Sequence, residues 1–153
     1  RSRLWNNRIY NLSWDICIDK NKMNSLRILL VEDNLPLGKS TAKLIERLGG
    51  HQVNITDEPK VIWELCTAGK VDIILMDINL PGAFWEGEEV SGADLSRILK
   101  AQPQTAHIPI ILLTAYAIVE EKESFLANSQ ADEFFFFFFS DYAALIKAIE
   151  ELS

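Results

Sequence analysis

The chain has 153 residues, 48% of them hydrophobic and 24% charged, an ordinary globular balance at a length that can bury a core without disulfides or a structural metal. Fifteen Lys and Arg against 22 Asp and Glu leave a net charge of −7, and a pI near 4.8 excludes the clustered basic surface that nucleic-acid binding needs. No apolar run approaches the roughly 20 residues that span a bilayer and no signal peptide opens the chain, so a cytoplasmic location without a membrane partner is expected.

Residues 1–22 carry five Lys/Arg and two Asp/Glu, hence +3, whereas residues 23–153 carry ten and twenty, hence −10. With no sustained period of their own, residues 1–22 are expected to be an upstream extension or linker outside a folded domain of residues 23–153. From residue 26 onward, short apolar runs alternate with amphipathic stretches, the pattern of an α/β fold around a parallel sheet. Residues 26–31 (LRILLV) predict a first strand, and Leu37, Leu44, Ile45 and Leu48 predict a helix entered near Pro36 and stopped by Gly49-Gly50. A weaker strand follows at residues 52–56, then a helix with Val61, Ile62, Leu65 and Cys66 on one face, ended by Gly69. Residues 71–76 (VDIILM) are almost wholly apolar, as a central parallel strand covered on both faces should be. Residues 79–89 read as a long loop and residues 92–101 as a helix before Pro103. Residues 108–113 predict the fourth strand, 116–128 a helix, 133–139 the fifth strand and 141–152 the last helix.

Three short features read as structure rather than chemistry. Cys17 and Cys66 lack metal-ligand spacing, and Cys66 is expected to be a small buried hydrophobe. His51 and His107 lie beside turn residues, where a surface or loop position is expected. Gly38-Lys39-Ser40 resembles the end of a phosphate-binding loop, but Asp33 stands where that motif needs its first glycine, so these residues belong to a helix.

The chemistry gathers at the carboxyl ends of the predicted strands, where open parallel sheets bind ligands. Glu32 and Asp33 follow the first strand, Asp77 the third and Thr114 the fourth. Any one of them alone is a good helix cap, but together they place three carboxylates and a hydroxyl around one shallow pocket. Packed carboxylates repel unless a cation joins them, and Mg²⁺ suits the set: Asp33 and Asp77 as direct ligands, Glu32 through water. A carboxylate beside Mg²⁺ can attack phosphorus and form an aspartyl phosphate.

These residues stand in three motifs, RILLVEDN (27–34), ILMDINLPG (74–82) and LLTA (112–115), whose order and spacing resemble the receiver domain of two-component response regulators over residues 26–152. The resemblance implies a flavodoxin-like, doubly wound, five-stranded parallel sheet in the order 2-1-3-4-5 with helices on both faces. It implies that Asp77 is the phosphoacceptor, that Glu32 and Asp33 are the acidic pair of an Mg²⁺ site completed by the backbone carbonyl of Asn79, and that Thr114 contacts the phosphoryl group. Phosphoryl transfer would come from a histidine kinase or phosphotransfer protein, and the signal would pass to a downstream protein effector. The surface of the fourth helix, fifth strand and fifth helix would serve that contact or a homodimer.

Two departures bear on that expectation. The stretch Ala83–Val90 lengthens the loop after the phosphoacceptor and brings Phe84 and Trp85, which could cover the pocket, meet a partner or fold onto the surface. The fifth strand carries six phenylalanines, Phe134 to Phe139; the Lys that such receivers place there falls at Phe137, or at Phe138 by counting back from the last helix, and the aromatic switch position falls at Phe134. A phenylalanine supplies neither the counter-charge of a lysine nor a tyrosine hydroxyl. A receiver-like interaction module indifferent to phosphate is therefore the alternative reading. An Asp- and Mg²⁺-dependent phosphatase is a remote one, since Asn79 occupies the place of its second aspartate.

Overall fold

The computed structural model describes residues 25–114, 122–136 and 141–153. In chain order these form β1 (Arg27–Val31), α1 (Leu35–Gly49), β2 (Gln52–Thr56), α2 (Pro59–Thr67), β3 (Ile73–Asp77), β4 (Phe84–Trp85), β5 (Glu88–Glu89), α3 (Gly92–Lys100), β6 (Ile110–Thr114), α4 (Lys122–Ser129), β7 (Glu133–Phe136) and α5 (Tyr142–Leu152). The expected extension at 1–22, the start of the fourth helix at 116 and the end of the fifth strand at 139 lie outside the described residues.

Five strands pair in parallel in the order β2-β1-β3-β6-β7, the expected 2-1-3-4-5 once the small hairpin β4-β5 is set aside. β1, β3 and β6 occupy the middle, and Ile28 to Val31, Ile73 to Met76 and Ile110 to Leu112 are at most 1% exposed. Such strands can be apolar on both sides because helices cover both faces. Ile45 of α1 and Leu145 and Ile149 of α5 pack with Ile28, Leu30, Ile73 and Leu75 on one face. Ile62 and Cys66 of α2 and Leu95 and Leu99 of α3 pack with Leu29, Val31, Ile74, Met76 and Phe134 on the other. Burying each such Leu, Ile or Phe side chain contributes about 1.5–3 kcal/mol, so this double-sided packing holds the strand ends in fixed register.

Strand boundaries shift where a local donor is missing or engaged elsewhere. β6 begins at Ile110 rather than 108 because Pro109 has no N–H; only its carbonyl joins the sheet, accepting from Ile74 N at 3.0 Å. β3 begins at Ile73 rather than 71: Asp72 N still donates to Arg27 O at 2.8 Å, but the Arg27 N–H that would carry the ladder one step further is taken by the Asp72 carboxylate at 2.7 Å.

Two expectations are corrected. His51 lies in the connection between α1 and β2, as expected, but it is not at the surface: its side chain is 2% exposed, Nδ1 accepts from Leu26 N at 3.1 Å and Nε2 lies 3.0 Å from the Glu150 carboxylate. The 79–89 stretch is not a plain loop either. Phe84–Trp85 and Glu88–Glu89 pair antiparallel across Glu86-Gly87, both at positive φ (51° and 83°), the two-residue turn that suits the twist of a hairpin. Cys66 is buried as expected, and burial pushes its thiol up to about 12, so it is not a nucleophile at neutral pH. Gly38-Lys39-Ser40 lie within α1. Among the described residues no helix is long and apolar enough to cross a membrane.

Candidate functional site

The site forms where the central strands end. β1 stops at Val31, and Glu32 continues the backbone ladder by donating its N–H to the Thr56 carbonyl at 3.1 Å. Asn34 then caps α1: its Oδ1 accepts from Leu37 N at 3.1 Å, with Pro36 in the first turn, where a missing N–H costs nothing. Because Asn34 does the capping, Asp33 is spared that role. On the neighbouring strand, Asp77 is the last residue of β3 and stands in register with Leu113 of β6. Thr114 follows on β6, buried, opposite Phe136 of β7.

Carboxylate oxygens of Glu32, Asp33 and Asp77 lie within 4.8 Å of one another. They border a cavity of about 250 Å³ that Thr114, Asn34, Leu37 and Thr41 also line. Burial pushes the Glu32 carboxyl up to about 7, with the Asp77 charge adding to the effect and the Asn34 N–H, 3.1 Å from Oε2, opposing it. Asp77 is raised for the same first reason, burial, with the charge of Asp33 adding to it. Against this, Asn79 donates its backbone N–H to Asp77 Oδ1 at 3.1 Å. Three oxygen-bearing groups, two of them held above their usual range and none in an ion pair with Lys or Arg among the described residues, are the donor set of a hard divalent cation.

The backbone of Asp77 is fixed from a second side. Gly92, at the start of α3, donates its N–H to the Ile78 carbonyl at 2.9 Å, so closely that a Cβ there would overlap the carbonyl oxygen of Asp77 and lie 2.9 Å from Met76 Cγ. Ser91 and Asp94 close a capping box just before it, Asp94 N donating to Ser91 Oγ at 3.1 Å and Ser91 N to Asp94 Oδ2 at 2.9 Å.

Of the residues singled out in the sequence, Glu32, Asp33, Asp77 and Thr114 meet at this cavity. Asn79 is exposed beside it and is tied to Asp77 through its own N–H. Phe134 is buried on the face packed by α2 and α3, in register with Leu112, one residue pair below the Leu113 level of Asp77. Phe137 and Phe138 lie outside the described residues. Phe84 and Trp85 do not cover the pocket: Trp85 packs against Trp63 of α2 with ring centroids 5.7 Å apart, and Phe84 is exposed. Sequence reasoning missed Asn34, Thr41 and Gly92 as parts of the site. For the first, the signal was present, an Asn two residues before a proline at the head of an apolar helix.

The response regulator receiver domain matches residues 28–149 of the chain. A gliding motility regulatory protein of Myxococcus xanthus is 29% identical over 128 residues, which are 84% of this chain and 15% of that protein. The polar-differentiation response regulator DivK of Brucella anthropi is 33% identical over 96 residues, 63% of this chain and 72% of that protein. Among solved structures, the receiver domain of a sensor histidine kinase from Pseudomonas aeruginosa, with a magnesium ion coordinated in its active site cleft, superposes with a TM-score of 0.67 at 26% identity. That likeness covers 84% of this chain and 97% of the other. The chain thus spans a small part of the first of these relatives and most of the other two.

Proposed function

The chain belongs to the response regulator receiver domain family, and from that premise we propose that Asp77 is the residue that takes the phosphoryl group. The observation that carries this reading is the convergence of Glu32, Asp33 and Asp77 at the ends of two adjacent strands, with Thr114 across the same cavity. In the transfer, a carboxylate oxygen of Asp77 bonds to phosphorus as the bond from phosphorus to the donor's imidazole nitrogen breaks, and the donor histidine keeps that electron pair. The donor is a histidine kinase or a phosphotransfer protein.

The oxygens of Glu32, Asp33 and Asp77, with the Asn79 carbonyl, would hold Mg²⁺. When bound, the ion neutralises charge on the transferring phosphoryl oxygens and on the carboxylates around it. The chain's own residues do the rest. The Asn79 N–H on Oδ1 sets the rotation of the Asp77 carboxylate before the donor arrives. The Thr114 hydroxyl, at the end of the neighbouring strand and on the same cavity, would donate to a phosphoryl oxygen. The module acts as an acceptor and relay, catalysing at most its own phosphorylation and dephosphorylation, and it signals in the cytoplasm through a protein effector or a second copy at the α4, β7 and α5 surface.

The test is intact-protein mass after incubation with acetyl phosphate, with and without Mg²⁺, beside Asp77→Asn. The expected result is a gain of one phosphoryl group that needs both Asp77 and the metal. No gain in a folded sample would overturn the reading in favour of an interaction module that ignores phosphate.

A further inference from the structure

The hairpin that lengthens the β3–α3 connection builds a second concave surface, and none of its lining residues borders the acidic cavity. The groove holds about 680 Å³ between the hairpin and helices α2 and α3. Its aromatic wall is the pair Trp63 and Trp85, tilted by 53°, with Ile98 of α3 beside them. Glu86, Glu88 and Glu89 line its rim, all exposed. The single cation there, Arg97, is engaged by Asp94 at 3.1 Å, which leaves the three hairpin glutamates without an ion pair among the described residues. Phe84, the strand neighbour of Trp85, points away from the Trp63 contact to the other face of the hairpin, where it is 58% exposed and outside the groove.

We propose that this groove docks a segment of a partner protein that presents arginine or lysine next to a bulky apolar residue. Two chemistries converge on that occupant. Indole faces attract a guanidinium or ammonium group through the ring quadrupole, and a guanidinium also stacks flat on them. Three carboxylates within four residues supply the complementary charge on the rim, and their mutual repulsion is relieved when a cation enters. The apolar residue of the partner has Ile98 and the edges of the Trp63–Trp85 pair to rest on. An acidic or neutral segment would gain only the apolar part, and a small molecule would leave most of so open a groove in water.

The test uses the full chain labelled with ¹⁵N in millimolar Mg²⁺, so that the Glu32, Asp33 and Asp77 cluster does not compete. The probe is an octapeptide alternating Arg and Leu, beside its counterpart with Glu in place of Arg. Saturable shifts of the Trp63 and Trp85 indole N–H signals and of the amides from Glu86 to Val90 are expected with the first probe and not with the second. Glu86→Lys with Glu88→Lys, exposed changes that leave the fold intact, should weaken binding roughly tenfold or more. Phosphoryl acceptance by this variant should be unchanged, so failure of the groove and failure of the phosphoacceptor assignment read out separately. Unsaturable or scattered shifts, equal binding of the Glu peptide, or full affinity in the double variant would each overturn the proposal. So would movement of the two indole signals, without any probe, on reversing Arg1, Arg3 and Arg8 to Glu, because the groove would then be filled by the chain's own first residues.

Discussion

Replacing Gly92 by alanine should destabilise the protein and slow phosphoryl acceptance together, the reverse of what this change does at an ordinary helix position. On propensity alone, Gly→Ala in a helix gains up to about 1 kcal/mol, and less in the first turn. Here the added methyl meets the Asp77 carbonyl oxygen and, at 2.8 Å, the Asp77 carbonyl carbon. Both are backbone atoms of a central strand, so no rotamer change relieves the contact; only Met76 Cγ, at 2.9 Å, is a side-chain atom able to move. The helix start must back away, which breaks the bond from Gly92 N to Ile78 O, or β3 must shift at its last residue. Overpacking of this kind costs about 1–3 kcal/mol and a lost buried hydrogen bond about another 1 kcal/mol, so a net loss of roughly 1–3 kcal/mol remains after the propensity gain. For a domain of this size that lowers Tm by roughly 2–12 °C. Urea and thermal unfolding give the stability, and the rate of acetyl phosphate uptake reports whether Asp77 has moved. A Gly92→Ala protein as stable as the parent, accepting phosphate at the same rate, would refute the claim that this close approach positions Asp77.

Three further outcomes follow from the acidic cluster and its helix cap. In metal-free buffer stability should fall as pH rises from about 4.5 to about 7, because Glu32 keeps its proton in the folded state over that window while the unfolded chain has given it up. The full shift corresponds to about 3 kcal/mol, and the partial solvent exposure of the group reduces this to about 1–2 kcal/mol; Glu32→Gln should flatten the slope, and an equal slope in that variant would count against the assignment. Adding Mg²⁺ at a hundred times its Kd should raise unfolding free energy by about 2.7 kcal/mol at neutral pH, and Asp33→Asn should lose most of that gain in a thermal shift titration. Asn34→Ala should cost about 1 kcal/mol in urea unfolding through the lost cap on Leu37 N, with Asn34→Asp recovering most of it.

What the sequence revealed and what it hid divide along a physical line. β1, β3 and β6 were legible because both of their faces are buried, so their apolar runs are continuous and their ends are marked by charge: Asp77 after IILM is as plain in the sequence as in the fold. Glu32, Asp33 and Thr114 were found for the same reason. The hairpin escaped because strands of two residues are too short to show a period of 2, and its turn is Glu86-Gly87 rather than the Asn-Gly or Asp-Gly that announces such hairpins. His51 escaped because its burial is set by partners far along the chain, Leu26 and Glu150, and nothing in its neighbours records them. Gly92 looked like an ordinary helix start. Its constraint comes from the carbonyl of Asp77, on another element, and only the folded geometry displays it.

The long connection that separates this chain from its resemblance at Ala83–Val90 leaves the site undisturbed for a reason visible at its two ends. Ile78 and Gly92, which bracket the excursion, are joined by a backbone hydrogen bond of 2.9 Å, and inside it Val90 N donates to Ala83 O at 2.9 Å. Each bond closes a smaller loop within a larger one, so residues 84–89 form an appendage whose length does not load the strand end that carries Asp77. Loop-closure cost rises only with the logarithm of length, and here the hairpin's own pairing and the Trp63–Trp85 contact offset part of it. An insertion anchored in this way can acquire a charged rim and an exposed aromatic while the carboxylate cluster keeps its geometry. Substitutions on Glu86 or Glu88 are therefore expected to change what the hairpin touches, and substitutions at Gly92 to change what Asp77 does.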